Sequence, residues 1–319
     1  MTTTKSERKQ NSAGAAATTG AGQGSRPSGT GGSGRAQKSR GAASGGPDGM
    51  LWVAQFALII WALISTIPLL WAMVSSFKSN KEIVASPWSL PSRLNWDNFV
   101  RAWNEAHIGQ YFLNTVVVVG GGVVLTMVFS AMAAYVFARY EFPGKRLLYY
   151  GFIAGMTFPV FMAVVPLFFV VKNLGMISTY HGLILVYVAY SLPFSVFFLT
   201  SFFKTLPVAV AEAAIMDGAS HYRVFFSVML PMAKPGLISI GIFNFIGQWN
   251  QYLLPLVLVP DESKYVLAQG LANLAVNQGY KSDISGLFAG LTIAILPILV
   301  VYVIFQRRVQ AGMTAGAMK

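Results

Sequence analysis

Two groups of side chains in this sequence have the types and spacing to do chemistry. The first lies in EAAIMDGASHYRVFFSVMLP, residues 212–231, where Glu212, Asp217, His221 and Arg223 interrupt a chain otherwise poor in charge. Ala211, Ala213 and Ala214 are small enough to let another surface approach closely, and Glu212 offers that surface a carboxylate. The second lies in FNFIGQWNQYLLPL, residues 243–256. There Asn244, Gln248 and Gln251 recur at i, i+4 and i+7 and so share one helical face. With Asn250 they supply amides that bond polar groups, and Trp249 supplies an indole able to stack on a flat apolar face. Such a face either lines a polar pathway or joins helices through buried amides.

Covalent chemistry has little to work with. There is no cysteine, so disulfides, thiolate metal sites and a thiol nucleophile are excluded. His107, His181 and His221 fall in separate loops, so no histidine cluster is expected. The phosphate-binding pattern G-x-x-x-x-G-K-[ST] is missing: Gly144-Lys145 is followed by Arg146, and Arg139 stands where the earlier glycine belongs. No Asp, Glu, Lys, Arg or His lies in the middle of an apolar run, which argues against a proton-coupled carrier or a voltage sensor. If solute is pumped, the energy comes from another chain. No cofactor is expected.

The elements that must position these residues are membrane helices. The chain has 319 residues, 55% hydrophobic and 11% charged, against about a quarter charged in soluble domains. Residues 1–49 are rich in Gly, Ser, Ala and Thr and cannot bury enough apolar area to offset ordering entropy, so a disordered tail is expected there. Residues 50–319 hold six apolar runs long enough to span a bilayer: Leu51–Ser76, Phe112–Ala138, Leu147–Val171, Gly182–Phe203, Leu237–Val259 and Gly286–Phe305. With the tail inside, 16 of the 23 Lys and Arg fall on the cytoplasmic side, which places both termini there. The net charge of +12 then reflects this bias rather than nucleic-acid binding.

Local signals shape the cytoplasmic loop 204–236. Pro207 opens a helix over 208–217, Gly218 suits a left-handed residue past its end, and Ser220 caps a second helix. That helix is expected over His221–Met229, ending before Pro231. Arg223 stands where a capping box would carry Glu or Gln. The pair of helices either docks on a partner or rests on lipid headgroups.

Glu212-Ala213-Ala214, Asp217-Gly218-Ala219-Ser220 and Leu230-Pro231 together resemble the EAA signature of permease subunits of binding-protein-dependent ABC importers. Trp249-Asn250, the ending FQRRVQAGMTAGAMK (305–319) and SSFKSNKEI (75–83) are similar to the carbohydrate, maltose-type branch of that family. The resemblance covers residues 51–319. It implies an all-α membrane protein with six transmembrane helices and a cytoplasmic coupling helix, the type I ABC importer permease fold. It implies that Glu212, Ala213, Ala214, Asp217, Gly218, Ala219, Leu230 and Pro231 couple to an ATPase subunit. It also implies a second permease chain, an extracytoplasmic solute-binding protein and a sugar substrate, in the plasma membrane. Gln251 departs from the acidic residue often found after Trp-Asn in this branch. The alternative is a self-contained secondary transporter or channel for a small polar solute, active without an ATPase.

Overall fold

The computed structural model describes residues 48–281 and 283–317. Residues 1–47 of the expected tail lie outside the described residues. Contacts within the chain separate Met1–Gln55 from Phe56–Lys319. Among the described residues every regular element is helical.

The first apolar run forms α1 (Asp48–Ser75), followed by the short helices α2 (Asn80–Ala85) and α3 (Asp97–Asn104). The second run is α4 (Ile108–Arg139). The third is not one helix but two, α5 (Lys145–Thr157) and α6 (Val160–Asn173), bent by 108°. The cause is local. Pro159 disfavours helical backbone at the residue before it, and Phe158 is extended at ψ 118°. At 1.5 Å per residue neither half spans about 30 Å alone. The fourth run is α7 (Tyr180–Thr205).

The loop that follows contains α8 (Val208–Met216) and α9 (His221–Met232). The expectation that the second loop helix stops before Pro231 is corrected: it runs on to Met232 and then bends by 74° into α10 (Lys234–Trp249). Its middle, Val224–Met229, is a π-helix in which the Leu230 N–H bonds Phe225 O five residues back. Proline has no N–H, and its ring collides with the carbonyl four residues earlier; the widened turn absorbs that mismatch. The fifth run also ends sooner than its hydropathy suggests. α10 stops at Trp249, and Leu253–Leu258 is a separate short helix, α11. α12 (Leu267–Lys281) and α13 (Ile284–Ala317) complete the chain. Among the described residues four helices are long and apolar enough to cross a membrane, and counting each bent pair once gives up to six.

The centre of the bundle is the pair α4 and α7. Their apolar stretches are 33% and 44% buried, against 0% for α1. Two apolar clusters lie along them. One gathers Tyr111, Val118, Leu183 and Tyr187 with Trp249, Leu267 and Ala289. The other gathers Ala134, Tyr135, Leu199 and Phe203 with Ala211, Phe225, Met229 and Ile240 at the end that carries the loop 204–236.

The segment between α1 and α4 is held by polar bonds. Lys78 is 0% exposed. Its ammonium donates to Pro87 O at 2.8 Å and Ser86 O at 3.4 Å. Asn98 donates to both Ser76 O and Lys78 O at 2.8 Å. The Arg101 guanidinium grips both oxygens of Asp283, at 3.2 and 3.3 Å, and so ties α3 to the start of α13. Ser79 and Glu82 form a capping box on α2. The Ser92 hydroxyl, and then the Ser79 N–H, hold the Glu82 carboxyl down to a pKa of about 2. A depressed carboxylate pKa stabilises the fold above its unfolded value and ceases to do so as pH falls through the folded value. Amide-exchange protection over residues 79–92, corrected for intrinsic rates, is therefore expected to hold from pH 7 to about 5 and to fall as pH drops from about 4.5 toward 2. Glu82→Gln should remove that dependence. Protection independent of pH in the wild-type chain would contradict the assignment.

Candidate functional site

The loop 204–236 starts from a firm anchor. Arg139, at the end of α4, donates to Phe203 O at 2.9 Å and Leu206 O at 2.7 Å, tying the end of α7 to α4. Pro207 then takes the N-cap position of α8 at φ −61° and ψ 126°. The helix ends in a Schellman motif: Ala219 N–H bonds Ala214 O at 3.0 Å and Gly218 N–H bonds Ile215 O at 2.9 Å. Gly218 has φ +83°, the left-handed conformation that its position predicts. Ser220 caps α9 by accepting the Arg223 N–H at 3.4 Å. The Tyr140 hydroxyl lies 3.1 Å from His221 Nδ1 and fixes the start of that helix against α4.

This construction sorts the loop into an inner and an outer face. Ala211 is buried in the cluster of Tyr135, Phe203 and Phe225. Ala214, Ala219 and Leu230 are half-buried against the same cluster. Glu212, Ala213, Asp217, Gly218 and Pro231 are exposed. The Glu212 and Asp217 side chains make no hydrogen bond or ion pair with the described residues. Beside them Met216 is 87% exposed and Tyr222 80% exposed. Two unpaired carboxylates flanked by large uncovered apolar side chains are an unusual surface for a single chain to leave open.

The amide face is equally specific. Asn244 Nδ2 donates to Ser195 Oγ at 2.9 Å, and Gln248 Nε2 donates to Ser191 Oγ at 3.1 Å. All four residues are buried. Two serines at i, i+4 on α7 thus meet two amides at i, i+4 on α10, in a two-rung ladder that falls between the two apolar clusters. Gly122 of α4 makes room for it, since a side chain there would run into Gln248 Oε1. Asn244, Gln248 and Gln251 border one cavity of about 440 Å³, walled by α5, α7 and α10. Trp249 and Asn250 are not on it. Trp249 is 5% exposed, packs edge-on against Phe112 and donates its indole N–H to Ala294 O at 3.2 Å. Asn250 bonds back to Ile246 O at 2.9 Å, and both border a second cavity toward α12 and α13. The sequence marks Ser191 and Ser195 only by their i, i+4 spacing, a weak signal because serine is common in apolar helices, and it shows no structural role for Arg139.

The chain is similar to known transport proteins in sequence and fold. The family described as binding-protein-dependent transport system inner membrane component matches residues 126–315. The diacetylchitobiose uptake system permease protein NgcG of Streptomyces coelicolor is 51% identical over 267 residues, 84% of this chain and 88% of that protein. The trehalose transport system permease protein SugB of Mycobacterium tuberculosis is 34% identical, over 81% of this chain and 97% of that protein. The fold is shared with a chain of a bacterial ABC transporter involved in the import of alginate, at a TM-score of 0.69 and 23% identity over 82% of this chain and 96% of that one. These likenesses place the protein among multi-pass membrane permeases and not among enzymes. The chain belongs to the family of binding-protein-dependent transport system inner membrane components.

Proposed function

We propose that this chain is a permease subunit of a sugar ABC importer and that the loop 204–236 receives force from a separate ATPase. The observation that carries the coupling role is the outer face of α8, where Glu212 and Asp217 stand unpaired beside Met216 and Tyr222. A basic, partly apolar groove on an ATPase complements that face. Glu212, Ala213, Ala214, Asp217, Gly218 and Ala219 form the contact and its bend, while Leu230 and Pro231 carry motion into α10. Relatives named for diacetylchitobiose and trehalose support a sugar as cargo. Asn244, Gln248 and Gln251 border the path of that sugar. Residues 50–319 form the permease domain, both termini face the cytoplasm, and the further partners are a second permease chain, an extracytoplasmic solute-binding protein and membrane lipid.

The test is a mild-detergent capture of the tagged chain from its native membrane, repeated after crosslinking, with mass spectrometry of what accompanies it. An ATPase and a second permease are expected. Recovery of the chain alone, active in uptake without ATP, would instead establish a self-contained carrier.

A further inference from the structure

The cavity between α5, α7 and α10 has the size of a small-molecule site, about 440 Å³ against roughly 300–1,000 Å³ for such sites. Its wall combines aromatic side chains, Phe158, Tyr190, Phe194 and Phe243, with neutral hydrogen-bonding groups, and it contains no charged residue. The ladder amides donate to serines, Asn244 to Ser195 and Gln248 to Ser191, but Gln248 Oε1 is buried without a hydrogen-bond partner among the described residues. Two other groups are also unbonded. Tyr187 borders the cavity and is 2% exposed, and its hydroxyl makes no hydrogen bond with the described residues. Gln251 borders it just past the end of α10, and its side-chain amide is likewise unbonded. A buried amide oxygen without a partner, as at Gln248 Oε1, is costly, and folded proteins seldom keep one without a use. The cavity also touches both helix interruptions, at Phe158 between α5 and α6 and at Gln251 between α10 and α11. Interrupted membrane helices are where transporters place ligand sites.

We propose that this cavity is a recognition subsite, within this subunit, for an uncharged polyhydroxylated ring such as a pyranoside. The Tyr187 hydroxyl and the Gln251 amide bond ring hydroxyls, and Tyr190 and Phe243 cover the ring's apolar face. The neutral wall disfavours an acidic saccharide, whose carboxylate would lose water without gaining a counter-charge. The assignment rests on the sugar-importer reading and deepens it, because it makes this subunit a direct contributor to selectivity.

The chain has no cysteine, and Gly247 borders the cavity with open space where a side chain would start. Gly247→Cys therefore places a single reporter thiol on the wall without displacing a neighbour. The importer, reconstituted with its partner subunits and binding protein, is labelled with a maleimide in the presence of diacetylchitobiose, trehalose or an alginate oligosaccharide. The transported neutral saccharide is expected to slow labelling several-fold, and alginate is not. Tyr187→Phe in the same background should raise the half-protecting concentration about two- to tenfold, the loss of one hydrogen bond. If a neutral saccharide is transported but neither protects the thiol nor responds to Tyr187→Phe, the subsite is disproved and the importer reading stands. If the complete complex transports no saccharide, the sugar reading fails and the subsite fails with it. Equal protection by alginate would overturn the neutral-ring class.

Discussion

Gly218→Val is expected to reduce uptake more than tenfold while the chain still inserts and the ATPase still turns over. The reason is confined to the backbone. Gly218 holds φ +83°, where an L-residue costs roughly 1–2 kcal/mol and a β-branched one more. Nothing lies within 4 Å of where its side chain would begin, so no neighbouring group is struck. If the residue leaves the left-handed region, the two bonds closing α8 at 2.9 and 3.0 Å are lost and Ser220 no longer aims at the start of α9. Asparagine tolerates the left-handed region better than other residues with side chains, so Gly218→Asn should retain most of the uptake. Uptake and ATP hydrolysis measured together in proteoliposomes distinguish the cases. Normal uptake with valine would show that the bend is dispensable.

Glu212→Ala should weaken docking of the ATPase by about 2 kcal/mol or more, roughly thirtyfold in affinity, if the carboxylate meets a basic group in a desolvated groove. An exposed pair would give less than about 1 kcal/mol. The measured value thus reports how dry the contact is. Titration of detergent-solubilised permease with the ATPase at two salt concentrations provides it, because a surface pair fades with salt and a buried one fades less. Unchanged affinity would remove Glu212 from the contact.

Much of the architecture was legible because it depends on run length and on a few residues with forced backbone geometry. The apolar runs located the spans, and Pro207, Gly218 and Ser220 located the turns of the loop. Tertiary partners were not legible in the same way. The third run is continuous in hydropathy, yet Phe158-Pro159 folds it back by 108°. Pro231 reads as a stop in an α-helix, but the π-helix of Val224–Met229 carries it through. Asn244 and Gln248 announced a polar face, though the serines that answer them sit on another span, where their i, i+4 spacing does not say which helix they face. Trp249 was paired with the amides by adjacency in sequence, whereas one residue along a helix turns the side chain by about 100°. It faces Phe112 and Ala294 instead. The burial of Lys78 is illegible for a similar reason: a lone charge suggests solvent, and only the folded segment brings the carbonyls that hold it.

The joined helices α9 and α10 have a mechanical consequence. They meet at 74° near Ala233, and helical hydrogen bonding fills both sides of the corner. At 1.5 Å per residue, their arms measure about 18 and 24 Å. Two stiff arms fixed at a corner make a bell-crank: a shove along one emerges as a sideways sweep of the other, amplified about 1.3-fold by the ratio of their lengths. The far arm carries Asn244 and Gln248, so if an ATPase pushes on α9 as proposed, the displacement should arrive as shear across the serine–amide rungs.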